Sequence, residues 1–126
     1  MAGYSGTPLA GKLGVTADSS VLLDGAPAGL DLGFAPSGDE PYDVIVCFCP
    51  DLSRLHARWP VLHPLTTVGG ALWVAWPKRS SGVATDLTED RIRAYALANG
   101  RVDVKVCAID DVWSGLKHVV RKKDRK

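Results

Sequence analysis

A chain of 126 residues, 46% hydrophobic and 23% charged, has the length and apolar content for one domain around one core, in the proportions of an ordinary globular protein. Its longest apolar run is too short for a bilayer span, so no membrane partner is expected, and three cysteines at irregular spacing exclude a disulfide framework. The formal net charge is +1, but Arg121, Lys122, Lys123, Arg125 and Lys126 against Asp124 give the last six residues +4 and leave −3 for the rest.

That basic tail could contact nucleic acid or an acidic partner. It could equally be a solvated, frayed terminus. The acidic body carries no RNA-binding signature. Residues 1–120 therefore read as a single α/β domain and residues 121–126 as a disordered tail. No basic segment precedes an apolar one near the start, so no secretion signal is expected and a cytoplasmic location follows by default.

In chain order, residues 8–14 read as a short helix, with Leu9 and Leu13 four apart and Gly14 as its C-cap. Residues 21–24 read as a first buried strand running into a turn at Gly25-Ala26-Pro27. Residues 28–42 are punctuated by glycine and proline and support at most one turn near residues 28–32. Residues 42–49 form a near-continuous apolar run, suited to a central strand buried on both faces. Asp51 or Ser53 can cap a helix through about residue 65, with Leu52, Leu55, Trp59 and Leu62 at helical spacing and Pro60 as a kink. Val68-Gly69-Gly70 reads as a turn before a strand over 71–76. Asp86-x-x-Glu89 reads as a capping box for a helix over 87–98, closed by Asn99-Gly100. Residues 102–109 and 112–120 then read as a terminal antiparallel hairpin. Strands alternating with helices predict a compact Rossmann-like α/β fold with a mostly parallel sheet.

Cys47 and Cys49 share a strand face and read as buried reduced thiols. No metal is expected: zinc would need two more ligands, and His56, His63 and His118 show no suitable pairing, with Pro60 between the first two. No catalytic residue is assigned. Ser80, Ser81 and Ser114 lack an activating base, and no Gly-x-Ser-x-Gly elbow exists.

Ligands of open α/β sheets bind beyond the carboxyl ends of the parallel strands. Those ends supply Asp24 and Gly25, Asp51, Trp76 and Lys78, with Ser81 and Thr85 in the loop that leads into the helix after residue 86. Lys78, Arg79, the hydroxyls and that helix N-terminus could hold an anion. Trp76 and Trp113 could stack on a planar ligand. Each has a structural alternative. Asp24 could close a turn, Lys78 and Arg79 could be a solvated loop, Thr85 and Asp86 could cap a helix, and the tryptophans could be core or edge packing. At the turn after the first strand, a nucleotide-binding domain would place Gly-x-Gly-x-x-Gly. Only Gly25 falls there, Pro27 removes a backbone donor and Gly29 comes too late.

Several stretches together resemble a bacterial family. These are Gly3-Tyr4-Ser5-Gly6-Thr7-Pro8-Leu9, Leu72-Trp73-Val74-Ala75-Trp76-Pro77-Lys78, Ser81-Gly82-Val83-x-Thr85-Asp86-Leu87-Thr88-Glu89-Asp90, Val102-Asp103-x-Lys105-Val106-Cys107-Ala108-Ile109-Asp110, and Trp113-Ser114-Gly115-Leu116. The chain is similar over nearly its whole length to the domain-of-unknown-function 3052 family, small proteins mainly of actinobacteria. That family brings no established activity. The resemblance also implies a shortened methyltransferase-like scaffold, with Gly69-Gly70-Ala71-Leu72 in place of the Gly-Gly-x-Leu turn before a central strand, and a closing hairpin of the methyltransferase type.

Function is accordingly expected to be that of a non-catalytic or regulatory domain that binds a small molecule or a protein partner, with no cofactor. One alternative is a minimal S-adenosylmethionine-dependent methyltransferase-like enzyme. Another is a nucleic-acid-associated protein using its basic tail.

Overall fold

A computed structural model describes residues 8–125; residues 1–7, which hold most of the opening motif, and Lys126 lie outside the described residues. The chain runs α1 (Leu9–Leu13), β1 (Val21–Asp24), β2 (Tyr42–Phe48), α2 (Leu52–Leu62), β3 (Thr66–Pro77), α3 (Glu89–Ala98), β4 (Val102–Ala108) and β5 (Trp113–Val119). Single 3₁₀ turns occupy His63–Leu65, Arg79–Ser81 and Lys122–Asp124.

The five strands form one mixed sheet in the order β1-β2-β3-β5-β4. β1 pairs parallel with β2 and β2 with β3, whereas β5 runs antiparallel to both β3 and β4. The protein is thus α/β, parallel in its first half and antiparallel in its last. The hairpin expected at the end is present, but its second strand lies inside its first. The burial of the two strands explains this order. β5 presents Gly115, Leu116 and His118 as buried residues, while Val104, Lys105 and Val106 of β4 are exposed, as suits an edge.

Alternation along the strands divides the core in two. On one face, Ile45, Cys47, Leu72, Val74 and Leu116 meet Leu55, Trp59 and Leu62 of α2 and Ile92 and Ala96 of α3. On the other, Val44, Val46, Phe48, Trp73 and Ala75 are covered by Leu13, Leu32 and Ile109, with Leu30 and Phe34 alongside. No regular helix other than the short α1 serves that second face. The Trp73 indole fixes it in place, donating from Nε1 to the Leu13 carbonyl at 3.1 Å. Gly115 is required beneath the same indole, since a Cβ there would lie 3.1 Å from both Trp73 and Ile109. α1 ends where the sequence predicts, at Gly14 with φ of 80°.

Three local expectations are corrected. α2 stops at Leu62 rather than near residue 65, because Pro64 cannot supply the next helical N–H, and the chain tightens into a 3₁₀ turn. Pro60 is accommodated inside α2, on its exposed side. Residues 68–70 are not a turn before the strand but part of β3. The pairing jumps from Tyr42↔Thr66 to Val44↔Ala71, so the strand bulges there, and a Cβ at Gly70 would come within 2.9 Å of the Tyr42 carbonyl oxygen. Finally, α3 starts at Glu89 with Thr88 as its N-cap, whose Oγ1 accepts the Arg91 N–H at 3.1 Å. Asp86 caps a different helix: its Oδ1 accepts the Leu52 N–H at 2.8 Å, beside Asp51, which accepts the Arg54 N–H at 2.9 Å. Two carboxylates thereby satisfy the positive end of α2.

The amino end of the sheet is tied by Arg101, which is 2% exposed. Its Nε donates to His63 Nδ1 at 2.9 Å, Nη1 to the carbonyls of Gly70 and His118, and Nη2 to the His63 carbonyl and to Thr66 Oγ1 at 2.6 Å. Arg101 thus joins the end of α2, the start of β3 and the end of β5. Beside it His118 is fully buried, with Nδ1 against the Leu72 carbonyl at 3.1 Å and Nε2 unpartnered. Burial pushes the His118 imidazole down to about 4 from an ordinary 6.5.

Two expectations follow. Asp86→Ala should cost about 1 kcal/mol and speed amide exchange at Leu52 while leaving Arg91 protected, and Thr88→Ala should do the reverse; residue-resolved hydrogen exchange reads both. For His118, the unfolded chain takes up a proton as pH falls through 6.5 while the folded chain stays neutral until about 4. Stability should therefore be full above pH 6.5 and fall across that window by up to about 3 kcal/mol. Urea unfolding at stepped pH measures this, and His118→Gln should flatten most of the slope.

Candidate functional site

β1 to β4 all point the same way, so Asp24, Asp51, Lys78 and Asp110 gather at one edge of the sheet, as the sequence predicts. They do not form one pocket. The turn after β1 is occupied by the protein itself. Asp24 Oδ2 accepts from Arg54 Nη2 at 3.1 Å and from Arg58 Nε at 3.0 Å, and Oδ1 accepts from Arg58 Nη2 at 3.0 Å. Both arginines lie on α2, four residues apart and hence on one helix face. Only 14% of the Asp24 side chain is exposed, and its contact raises the Arg58 guanidinium above its ordinary range.

Gly25 follows with φ of 74°, and a Cβ there would stand 2.7 Å from Arg54 Nη2. The space above the first turn, where a glycine-rich loop would admit a phosphate or an adenosine, therefore holds a guanidinium. Cys47 lies below, with its Sγ 3.5 Å from both Cys49 Sγ and Asp24 Oδ2. The contact with Cys49 and then burial push the Cys47 thiol far above the ordinary range, which suppresses the thiolate. Among the described residues no group of three or more His, Cys, Asp or Glu is placed to hold a metal ion.

An opening of about 390 Å³ at this edge lies one strand further on, between the end of β3 and the start of α3. Trp76 and Leu87 are its buried apolar walls, Val83 is an exposed one, and Arg79, Thr85 and Glu89 supply the polar lining. Local chemistry shapes each part. Pro77 ends the strand. A 3₁₀ turn at Arg79–Ser81 is closed by Ser81, whose hydroxyl donates to the Lys78 carbonyl at 2.7 Å and accepts the Val83 N–H at 3.1 Å. Gly82, with φ of 79°, reverses the chain. Thr85 Oγ1 then accepts the Leu87 N–H at 3.1 Å, which turns the backbone into α3. Glu89 is held by Arg93, whereas Arg79 has no side-chain partner among the described residues. The Trp76 indole N–H likewise has no protein hydrogen-bond partner among the described residues but keeps access to solvent; the fully buried unpartnered indole N–H is that of Trp59.

A second, shallower hollow of about 370 Å³ lies on the opposite face of the sheet, lined by Trp113, Asp110, Val112 and the loop after β1. Trp113 packs its ring edge-on against Phe48 at 5.3 Å, and Asp110 closes the hairpin by accepting the N–H groups of Val112 and Trp113.

The eight candidate residues thus separate. Trp76 and Thr85 line the main cleft, and Ser81 and Lys78 build the turn that bounds it. Trp113 belongs to the hollow behind the sheet. Asp24 and Gly25 sit in the arginine clasp, and Asp51 caps α2. Residue-type reasoning passed over Arg54, Arg58 and Arg101, which carry the main polar contacts. The i, i+4 spacing of the first two was a readable signal; nothing local marks the third.

Among the described residues no helix is long and apolar enough to cross a membrane. No protein-family model matches this chain, and no curated protein matches it.

Asp24→Asn should keep the fold and cost about 1–3 kcal/mol, because two guanidinium groups lose their ionised acceptor at a part-buried site. Denaturant unfolding reads the loss. Arg58→Lys, which replaces a two-point contact with a single one, should recover only part of the native stability.

Proposed function

We propose that this protein is a non-catalytic or regulatory member of the domain-of-unknown-function 3052 family that binds a small molecule or a peptide-like partner group in the cleft over Trp76. One observation carries this reading: the largely buried Trp76 side chain forms a wall of an open cleft beside an Arg79 with no side-chain partner among the described residues. Such a cleft offers a flat apolar surface and one positive charge, which suits a planar ligand bearing a carboxylate. Three free cysteines, two of them buried, suit a cytoplasmic setting.

The second reading is a shortened methyltransferase-like enzyme. The reversed strand between β3 and β4 favours it, since methyltransferase-like sheets close with such a hairpin. The residues at the first turn do not fit S-adenosylmethionine, because Arg54 fills the space above Gly25 and Asp24 is fully engaged by arginine. A Rossmann-like origin of the scaffold is compatible with both readings.

Ligand-observed NMR with a set of small aromatic carboxylates should give hits that weaken in Arg79→Ala and in Trp76→Phe but persist in Lys122→Ala. Hits indifferent to both cleft variants would remove the first reading. Calorimetric titration with S-adenosylmethionine and S-adenosylhomocysteine at millimolar concentration should give no saturable heat. Saturable heat would carry the second reading instead.

A further inference from the structure

We propose that the hollow at the amino end of the sheet, between His63, Thr67, Arg101 and Arg125, is a binding site for a small phosphate-like oxyanion. It lies at the far end of the strands from the cleft over Trp76 and is independent of it. The hollow measures about 190 Å³. That is room for a phosphoryl group and below the roughly 300–1,000 Å³ of sites for larger organic ligands.

The first argument is an unbalanced charge. Arg101 is 2% exposed, and every acceptor it meets is neutral: three carbonyl oxygens, the Thr66 hydroxyl and His63 Nδ1. No carboxylate among the described residues lies within ion-pair distance of it. Buried arginines are ordinarily neutralised, since desolvating a lone charge costs several kcal/mol. Burial here lowers the Arg101 pKa to about 10. All five N–H groups of Arg101 are satisfied, so it supplies field rather than a direct bond.

The second argument is a set of donors facing the same hollow. Arg125 also lines it. Its Nε is anchored on the Val120 carbonyl at 2.9 Å, and its terminal nitrogens have no partner among the described residues, with Nη1 next to Gly69. His63 accepts at Nδ1 from Arg101, so its proton sits on Nε2; that nitrogen lies toward Gly100, and His63 is a wall of the hollow rather than a donor aimed into it. The Thr67 hydroxyl has no partner among the described residues and lies beside Gly70, where a Cβ would stand 2.8 Å from it. The bulge at residues 67–70, which the pairing with β2 skips over, brings Thr67 and Val68 to the lining.

The one carboxylate in the lining, Asp124, is held by Arg121 at 3.2 Å within the 3₁₀ turn of the tail. Lys122 and Lys123 in the same turn add positive potential. A small ligand fits better than a polynucleotide, because the body outside the last six residues carries net negative charge and the positive groups surround a hollow rather than a groove.

The test is a titration of the full chain with inorganic phosphate, followed by amide chemical shifts and by thermal unfolding, against chloride at matched ionic strength. Saturable shifts at Thr67, Gly69 and Arg101, with a rise in Tm that chloride does not reproduce, are expected. Arg125→Gln, a partly exposed side chain that should leave the fold intact, should lower phosphate affinity about tenfold or more, as loss of a charge-assisted bond does. Parallel titrations with a nucleoside monophosphate and its parent nucleoside separate free phosphate from a phosphomonoester as the natural source. Any of three results would overturn the site: a response equal to that of chloride, phosphate affinity unchanged in Arg125→Gln, or binding only to an oligonucleotide without terminal phosphates.

Discussion

Strand β3 hydrogen-bonds β2 along one edge and β5 along the other, and residues 71–77 are buried whichever face they point to. A strand in that position must be covered twice. Leu72, Val74 and Trp76 are covered by the two amphipathic helices that lead into and out of β3. Trp73 and Ala75 face the other way, where the chain has only the five-residue α1 and an irregular stretch after β1. Leu30, Leu32 and Phe34 in that stretch therefore do the work of a helix face without helical geometry. Burying one large apolar side chain is worth about 1.5–3 kcal/mol, so it is the joint burial of Trp73, Leu13, Leu32 and their neighbours that offsets the entropy of ordering this cover, and the indole bond to Leu13 sets where α1 must lie.

Polar contacts then lock the two ends of the sheet in different ways. At the carboxyl end, Asp24 draws two arginines from α2, so the helix is clasped to the tip of β1 by opposite charges that remain partly in water. At the amino end, Arg101 reaches three elements at once through neutral acceptors. The first arrangement sets two guanidinium charges against one carboxylate. The second leaves a positive charge in low-dielectric surroundings and holds His63 in its neutral form, and burial followed by the Arg101 charge lowers the His63 pKa further. The same helix, α2, is thus fixed in its first half by ion pairs that stay partly in water and just past its end by a buried guanidinium that meets only neutral acceptors.

Most elements could be read from the sequence because their signals are local. The apolar run at 42–49 is a doubly buried strand, Gly14 ends α1, and Asp51 caps α2. What could not be read depends on neighbours distant in sequence. Asp86 and Glu89 match a capping box, yet Asp86 bonds Leu52, thirty-four residues away, and a Thr that matches no box takes over at α3. Gly69 and Gly70 look like a turn until β2 passes alongside and draws them into β3 as a bulge. The position of β5 inside β4 follows from a difference in burial that only the finished sheet reveals. For the candidate site, the sheet edge was legible from strand order, and Trp76 and Thr85 do share a cleft there. The separation of Trp113 and Asp24 from it was not, since a strand's end fixes which edge a residue reaches but neither the face it serves, which removes Trp113, nor the partners it draws, which engage Asp24 with α2.

The clasp at the first turn bears directly on where a ligand can enter. A molecule placed above Gly25 must push out the Arg54 guanidinium, and Asp24 then loses one of its two partners at a site where only 14% of its side chain meets water. Nothing in the degraded loop compensates, because Pro27 has no N–H to offer and Gly29 lies beyond the turn. Entry over Trp76 meets an open cleft and a largely buried aromatic wall instead. The lack of a glycine-rich turn and the presence of the arginine pair act in the same direction: they occupy the β1–β2 side of the edge and leave the β3–α3 side as the place where binding is least opposed.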